Sequence, residues 1–115
     1  SNFKSSVFVV NDNNRYLFRL RKDVSFMNKP IIKNKLEAVP ENGSVLIDTT
    51  RADFIDKDIV EVIEDFMLHA PLKNIKVELK VNGKSHGINR APAMTDGKPN
   101  VVRTHEKDLV EADPQ

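Results

Sequence analysis

Asp48, Thr49, Thr50, Asp53, Asp56, Lys57 and Asp58 crowd into one short stretch, with Phe54 among them. Carboxylates at this density could hold a metal ion or a partner, or cap a helix. The spacing favours capping for Asp56. It stands just ahead of Ile59, Val62, Ile63, Phe66 and Ala70, the best amphipathic stripe in the chain. Asp58 and Glu61 then fall in the first helical turn, where a carboxylate complements the positive end of the helix dipole. Asp58 is the candidate for contact with a partner. A calcium loop would need alternating acidic positions, a glycine and a closing glutamate, and the stretch lacks that run. A phosphate at this helix N-terminus would meet resident carboxylates and no glycine-rich cradle.

Thr49 and Thr50 read first as loop hydroxyls bonding nearby backbone, and second as phosphoacceptors facing a partner. His69, His86 and His105 lie far apart and make no ligand pair at zinc spacing. No nucleophile has a base beside it. The stretch therefore reads as a recognition surface. No enzymatic activity, metal or cofactor is expected.

The composition agrees with a single small domain. The chain has 115 residues, 39% hydrophobic and 30% charged, enough for one core. A net charge of +1 gives no general attraction to nucleic acid. No apolar run approaches the ~20 residues that span a bilayer. The absence of cysteine excludes disulfides and thiolate metal sites. Charge is unevenly placed. Arg15, Arg19, Arg21, Lys22, Lys29, Lys33 and Lys35 precede a run containing Asp53, Asp56, Asp58, Glu61, Glu64 and Asp65. Two solvated or mutually attracting faces are the first reading, and a surface that orients the domain against a larger partner is the second.

The elements that position these residues follow from periodicity. Val7–Val10 is a short strand, Asn11–Asn14 a turn, and Arg15–Arg21 an alternating strand, together a hairpin. Asn28 is placed to cap a helix with Pro30 in its first turn and Ile32, Leu36 and Val39 on one stripe. Pro40 and Asn42-Gly43 stop it. Val45-Leu46-Ile47 is apolar without alternation, as in a central strand covered on both faces. It is expected to end at Asp48 and pass through a loop to Asp56. After the second helix, Ile75, Val77 and Leu79 alternate with Lys76, Glu78 and Lys80. The order β-β-α-β-α-β predicts a small mixed sheet with the helices packed on one face. Residues 1–81 form the expected domain. Residues 82–115 read as an irregular or partly disordered tail that docks around Val101-Val102 or Leu109-Val110.

An apolar strand ending in Asp48, a loop, and Ile55-Asp56 opening an amphipathic helix resembles the STAS domain. Tyr16-Leu17-Phe18-Arg19-Leu20 followed by Ser25-Phe26-Met27-Asn28 is similar to that family's second strand and the entry to its first helix. The resemblance covers roughly residues 7–80. The family includes bacterial anti-sigma-factor antagonists and the C-terminal cytoplasmic domains of SulP-type anion transporters. In the antagonists the helix opens with Asp-Ser-Ser-Gly, and a partner kinase phosphorylates the second serine. The matching positions here are Asp56, Lys57, Asp58 and Ile59, so a carboxylate replaces the phosphorylatable hydroxyl. That departure favours the transporter-linked branch. Family domains also continue with a further helix, strand and helix, a pattern that residues 82–115 do not show.

The resemblance implies a non-catalytic regulatory domain at the cytoplasmic face of the inner or plasma membrane, part of an integral membrane protein that moves sulfate, bicarbonate or a related anion. Its partner would be the transmembrane domain of the same polypeptide, outside this chain, with a second copy or a separate regulatory protein as further partners. The alternative is a stand-alone antagonist-like signalling protein that binds a kinase or anti-sigma partner. Thr49, Thr50, Asp53, Phe54, Asp56, Lys57 and Asp58 form the expected contact surface.

Overall fold

In the computed structural model, residues 5–82 are described in full and 101–105 as backbone. Strand β1 (Val7–Asp12) turns through Asn13-Asn14 into β2 (Arg15–Val24), pairing antiparallel from Val7↔Leu20 to Asp12↔Arg15. The strands run further into the predicted turn than periodicity indicated. A two-residue reversal suffices because Asn13 adopts φ 58°, a left-handed conformation that asparagine tolerates. A 3-10 turn over Phe26–Asn28 leads into α1 (Lys29–Glu37). Asn28 does not cap α1 with its side chain. It closes the preceding turn, where its Oδ1 accepts from the Ser25 amide at 2.9 Å while the Ser25 hydroxyl accepts from the Met27 amide.

Strand β3 (Ser44–Ile55), helix α2 (Lys57–His69), β4 (Lys76–Val81) and β5 (Val101–His105) follow, in one sheet of order β1-β2-β3-β4-β5. β2 through β5 are mutually parallel. The right-handed rule for such crossovers sends α1 and α2 to the same face. The small mixed α/β architecture with both helices on one face is the expected one. At 101–105 the tail docks around Val101-Val102 as expected, but as a strand and not irregularly: the segment pairs with β4 from Val77↔Val101 to Val81↔His105. Leu109-Val110 lies outside the described residues.

The core lies between the sheet and the helices. Phe18 and Leu20 of β2, Val45 and Ile47 of β3, and Val77, Leu79 and Val81 of β4 are buried against Ile32 and Leu36 of α1 and Ile59, Val60, Ile63 and Met67 of α2. Val62 and Phe66, on the predicted stripe of α2, are only partly buried; Val60 and Met67 take the deeper positions. The contact direction of α2 is therefore rotated slightly from the one its periodicity suggested. Leu46 also departs from expectation. It is half-buried on the face away from the helices, so β3 is not covered on both sides among the described residues.

The turn before β3 is tight. A Cβ added at Gly43 would stand 2.9 Å from the Pro40 carbonyl oxygen and 3.0 Å from that of Asn14. Both are backbone atoms held by hydrogen bonds, from Gly43 N to Pro40 O and from Ser44 N to Asn14 O. Gly43→Ala is therefore expected to lower stability by about 1–3 kcal/mol through overpacking, read as a reduced urea midpoint with an unchanged slope.

Candidate functional site

The segment after Asp48 is a bulged strand and not a loop. β3 has 12 residues against 10 in β2, and the surplus enters at two register shifts. Arg19↔Asp48 is followed by Arg21↔Arg51, and Lys22↔Ala52 by Asp23↔Phe54. Each inserts one extra residue into β3, which turns the strand without breaking its pairing. Lys22, at φ 58°, takes up the second shift on the β2 side. Thr, Phe and Ile in this stretch are good strand formers. The bulges disrupt their period of two, and a strand without alternation looks like a loop.

The first bulge is organised by Asp48, the end of the β3–β4 ladder at Asp48↔Lys80. One carboxylate oxygen accepts from the Thr50 amide at 2.9 Å and the Thr50 hydroxyl at 2.7 Å; the other accepts from Arg19 Nε at 3.1 Å. The residue is only 2% exposed, although it belongs to the face away from α1 and α2, because Arg19 and Thr50 bond to it. Burial alone would raise its pKa. The Thr50 and Arg19 bonds outweigh that effect and hold it below the usual carboxylate range.

Beyond this point side chains replace the backbone ladder to β4. The Thr49 hydroxyl donates to the Lys80 carbonyl at 2.9 Å, and Asn82 Nδ2 donates to the Thr50 carbonyl at 3.0 Å. Thr49 is 1% exposed, so it cannot present a hydroxyl to a partner or a kinase. Its place in the expected contact surface is corrected: it ties β3 to β4 as the strands diverge. Thr50 is half-buried, with its hydroxyl committed to Asp48.

The remaining candidates gather where β3 ends and α2 begins. Asp56 N donates to the Val24 carbonyl at 2.9 Å, fixing the helix start beside the end of β2. Asp56 caps α2 as its spacing predicts, with Oδ1 accepting from the Asp58 amide at 3.0 Å. Asp58 is half-buried, less open than expected for a first-turn carboxylate. Asp53 and Lys57 are exposed, and Phe54 projects outward at 48% exposure. Phe26 and Met27, in the 3-10 turn after β2, are also exposed. The sequence places them at a helix entry, and parallel β2 and β3 deliver both segments to the same end of the sheet. Their apolar character in a turn was the available signal.

This edge offers apolar contact and fixed negative charge, suited to binding. Among the described residues no three His, Asp or Glu side chains are grouped to hold a metal ion. No helix among them is long and apolar enough to cross a membrane. The basic and acidic runs meet on the helix side, where Lys29 and Lys33 of α1 and Glu61 and Asp65 of α2 line one groove.

The Asp48 node has a pH signature. Its folded pKa is depressed, so its stabilisation is complete above the unfolded value of about 4 and is lost as pH falls through the folded value. Asp48→Asn is expected to cost roughly 1–3 kcal/mol at pH 7, the range for a buried hydrogen-bonding group left unsatisfied. The gap between variant and parent should close on acidification below about pH 4. Urea unfolding of both proteins between pH 7 and pH 3 measures this, and a pH-independent gap would contradict it.

No family model and no curated protein matches this chain. A solved structure described as "Crystal Structure Analysis of Mglu" has a similar fold, with a TM-score of 0.55 and 19% identity over 68% of this chain. The match occupies 21% of that longer chain. At this identity the likeness establishes a shared fold: the small mixed sheet with two helices also occurs as one part of a larger protein.

Proposed function

We propose that this chain is a non-catalytic, STAS-like regulatory domain of a SulP-type membrane anion transporter. The observation that carries this reading is the start of α2. The antagonists resembled by the sequence place a phosphorylatable serine where this chain has Asp58. Asp58 is half-buried in the first turn, with its amide bonded to Asp56 and exposed Phe54 ahead of the cap. A carboxylate offers no hydroxyl to a kinase. The surface therefore works as a permanent contact.

Its mechanism is association. Phe54 supplies the apolar anchor, and Asp53, Asp58 and Lys57 form a charged rim that selects orientation. The partner is the transmembrane part of the same polypeptide or a regulatory protein at the cytoplasmic face. Binding there biases the carrier between its conformations by the difference in contact energy that the domain makes with each.

Two experiments test the reading. Cell fractionation with an antibody against this domain should give a band in the membrane pellet, several times heavier than 13.0 kDa and released only by detergent. A soluble band near the size of this chain would instead favour a stand-alone antagonist-like protein. In the full-length carrier, Phe54→Ala with Asp58→Lys should leave expression and folding nearly intact while altering anion transport severalfold. Unchanged transport would remove this surface from the contact.

A further inference from the structure

β1 is the outer strand of the sheet on the hairpin side, and its outer edge is a second surface. Arg21 N donates to the Ser6 carbonyl at 2.9 Å, which makes Ser6 and Arg21 a hydrogen-bonded pair. Along an antiparallel ladder such pairs alternate. Phe8, Val10 and Asp12 therefore commit their backbone groups to β2, while those of Val7, Val9 and Asn11 point away from the sheet. The Ser5 hydroxyl satisfies Val7, accepting from its amide at 3.2 Å and donating to its carbonyl at 2.9 Å. Among the described residues no strand meets the outward amide and carbonyl of Val9 or Asn11. Proteins usually blunt such an edge with lysine, proline or a bulge. β1 has none of these: it reads Val7-Phe8-Val9-Val10-Asn11-Asp12 and pairs with β2 without a register shift.

A row of outward donors and acceptors selects an extended strand as its partner, not a helix or a lipid. The side chains select which strand. When two copies of β1 lie antiparallel about a two-fold axis at Val9, Val9 faces Val9 of the second copy and Val7 faces its Asn11. The exposed Phe8 and Val10, 46% and 44% open, then stand opposite Val10 and Phe8 of that copy. These are aromatic–β-branched pairs at non-hydrogen-bonded positions, where side chains approach most closely. Asp12 falls opposite Ser6, so no like charges meet. We propose that β1 pairs with β1 of a second copy in this register, joining two five-stranded sheets into one. The Ser5 hydroxyl yields Val7 to Asn11 of the second copy, so the outward groups of Val7, Val9 and Asn11 all end in strand bonds. The axis stands perpendicular to the sheet and keeps the helices of both copies on one face. This edge is separated from β3 by β2, and the proposal does not rest on the reading of Phe54 and Asp58.

The test uses the full chain. Sedimentation should show a monomer–dimer equilibrium with a dissociation constant below roughly 1 mM. Over the same concentration series, amide exchange should slow at Val9 and Asn11 and not at Phe8 and Val10, whose amides already bond to β2. Asn11→Pro removes an outward N–H and none from the β1–β2 ladder. It should weaken the dimer at least about tenfold with an unchanged circular dichroism spectrum. Phe8→Lys and Val10→Glu, both at exposed positions, test the register. Each should weaken self-association, and mixing the two variants should restore it, because position 8 of one copy faces position 10 of the other. A chain still monomeric at roughly 1 mM would overturn the proposal and leave the edge to a strand of a different protein. So would a dimer without protection at Val9 and Asn11, a dimer indifferent to Asn11→Pro, or variants that fail to recover on mixing. Growth beyond a dimer would mean open head-to-tail pairing and overturn it equally.

Discussion

The parallel pairing of β2 with β3 is the constraint from which the remaining geometry follows. A parallel pair needs a crossover, and the crossover has a fixed hand. Once β2, β3 and β4 lie side by side in chain order, α1 and α2 must share a face. The core and the groove between the helices are consequences. The same pairing brings the ends of β2 and β3 together, so that the 3-10 turn at Phe26–Asn28 and the start of α2 emerge at one edge.

β3 has to satisfy two neighbours of different length. It runs with β4 only as far as Asp48, but with β2 to Ile55. The two inserted residues allow it to leave one partner and stay with the other. Leaving β4 exposes backbone groups that need bonds, since an unpaired buried carbonyl is costly. Thr49 and Asn82 supply them from side chains. Asp48 stabilises the bulge by collecting the Thr50 amide and hydroxyl and the Arg19 guanidinium on one carboxylate. The side chains that first suggest chemistry are in this part of the chain devoted to holding a strand in shape.

The outer positions are different. Asp53, Phe54 and Lys57 are exposed beyond the second bulge, on a rigid strand end and helix start. A contact surface built on such elements keeps its geometry without paying much ordering entropy on binding.

Local rules in the sequence determined the hairpin, both helices, the Asp56 cap and the alternation of β4. Each depends on residues within a few positions of one another: Asn13 at a turn, Asp56 ahead of Ile59, Val77 two before Leu79. Tertiary structure decided what depends on a neighbour distant in the chain. Thr49 looks like a loop hydroxyl until Lys80 lies beside it, and Asp48 looks like a strand terminus until Arg19 lies over it. Asn28 reads as a helix cap until the Ser25 backbone claims its side chain. Leu46 reads as doubly buried because an apolar run records that both faces avoid water, but not whether this chain supplies both covers. β5 was hidden for a related reason. Five residues gain strand character only from the edge of β4, an edge no local pattern contains.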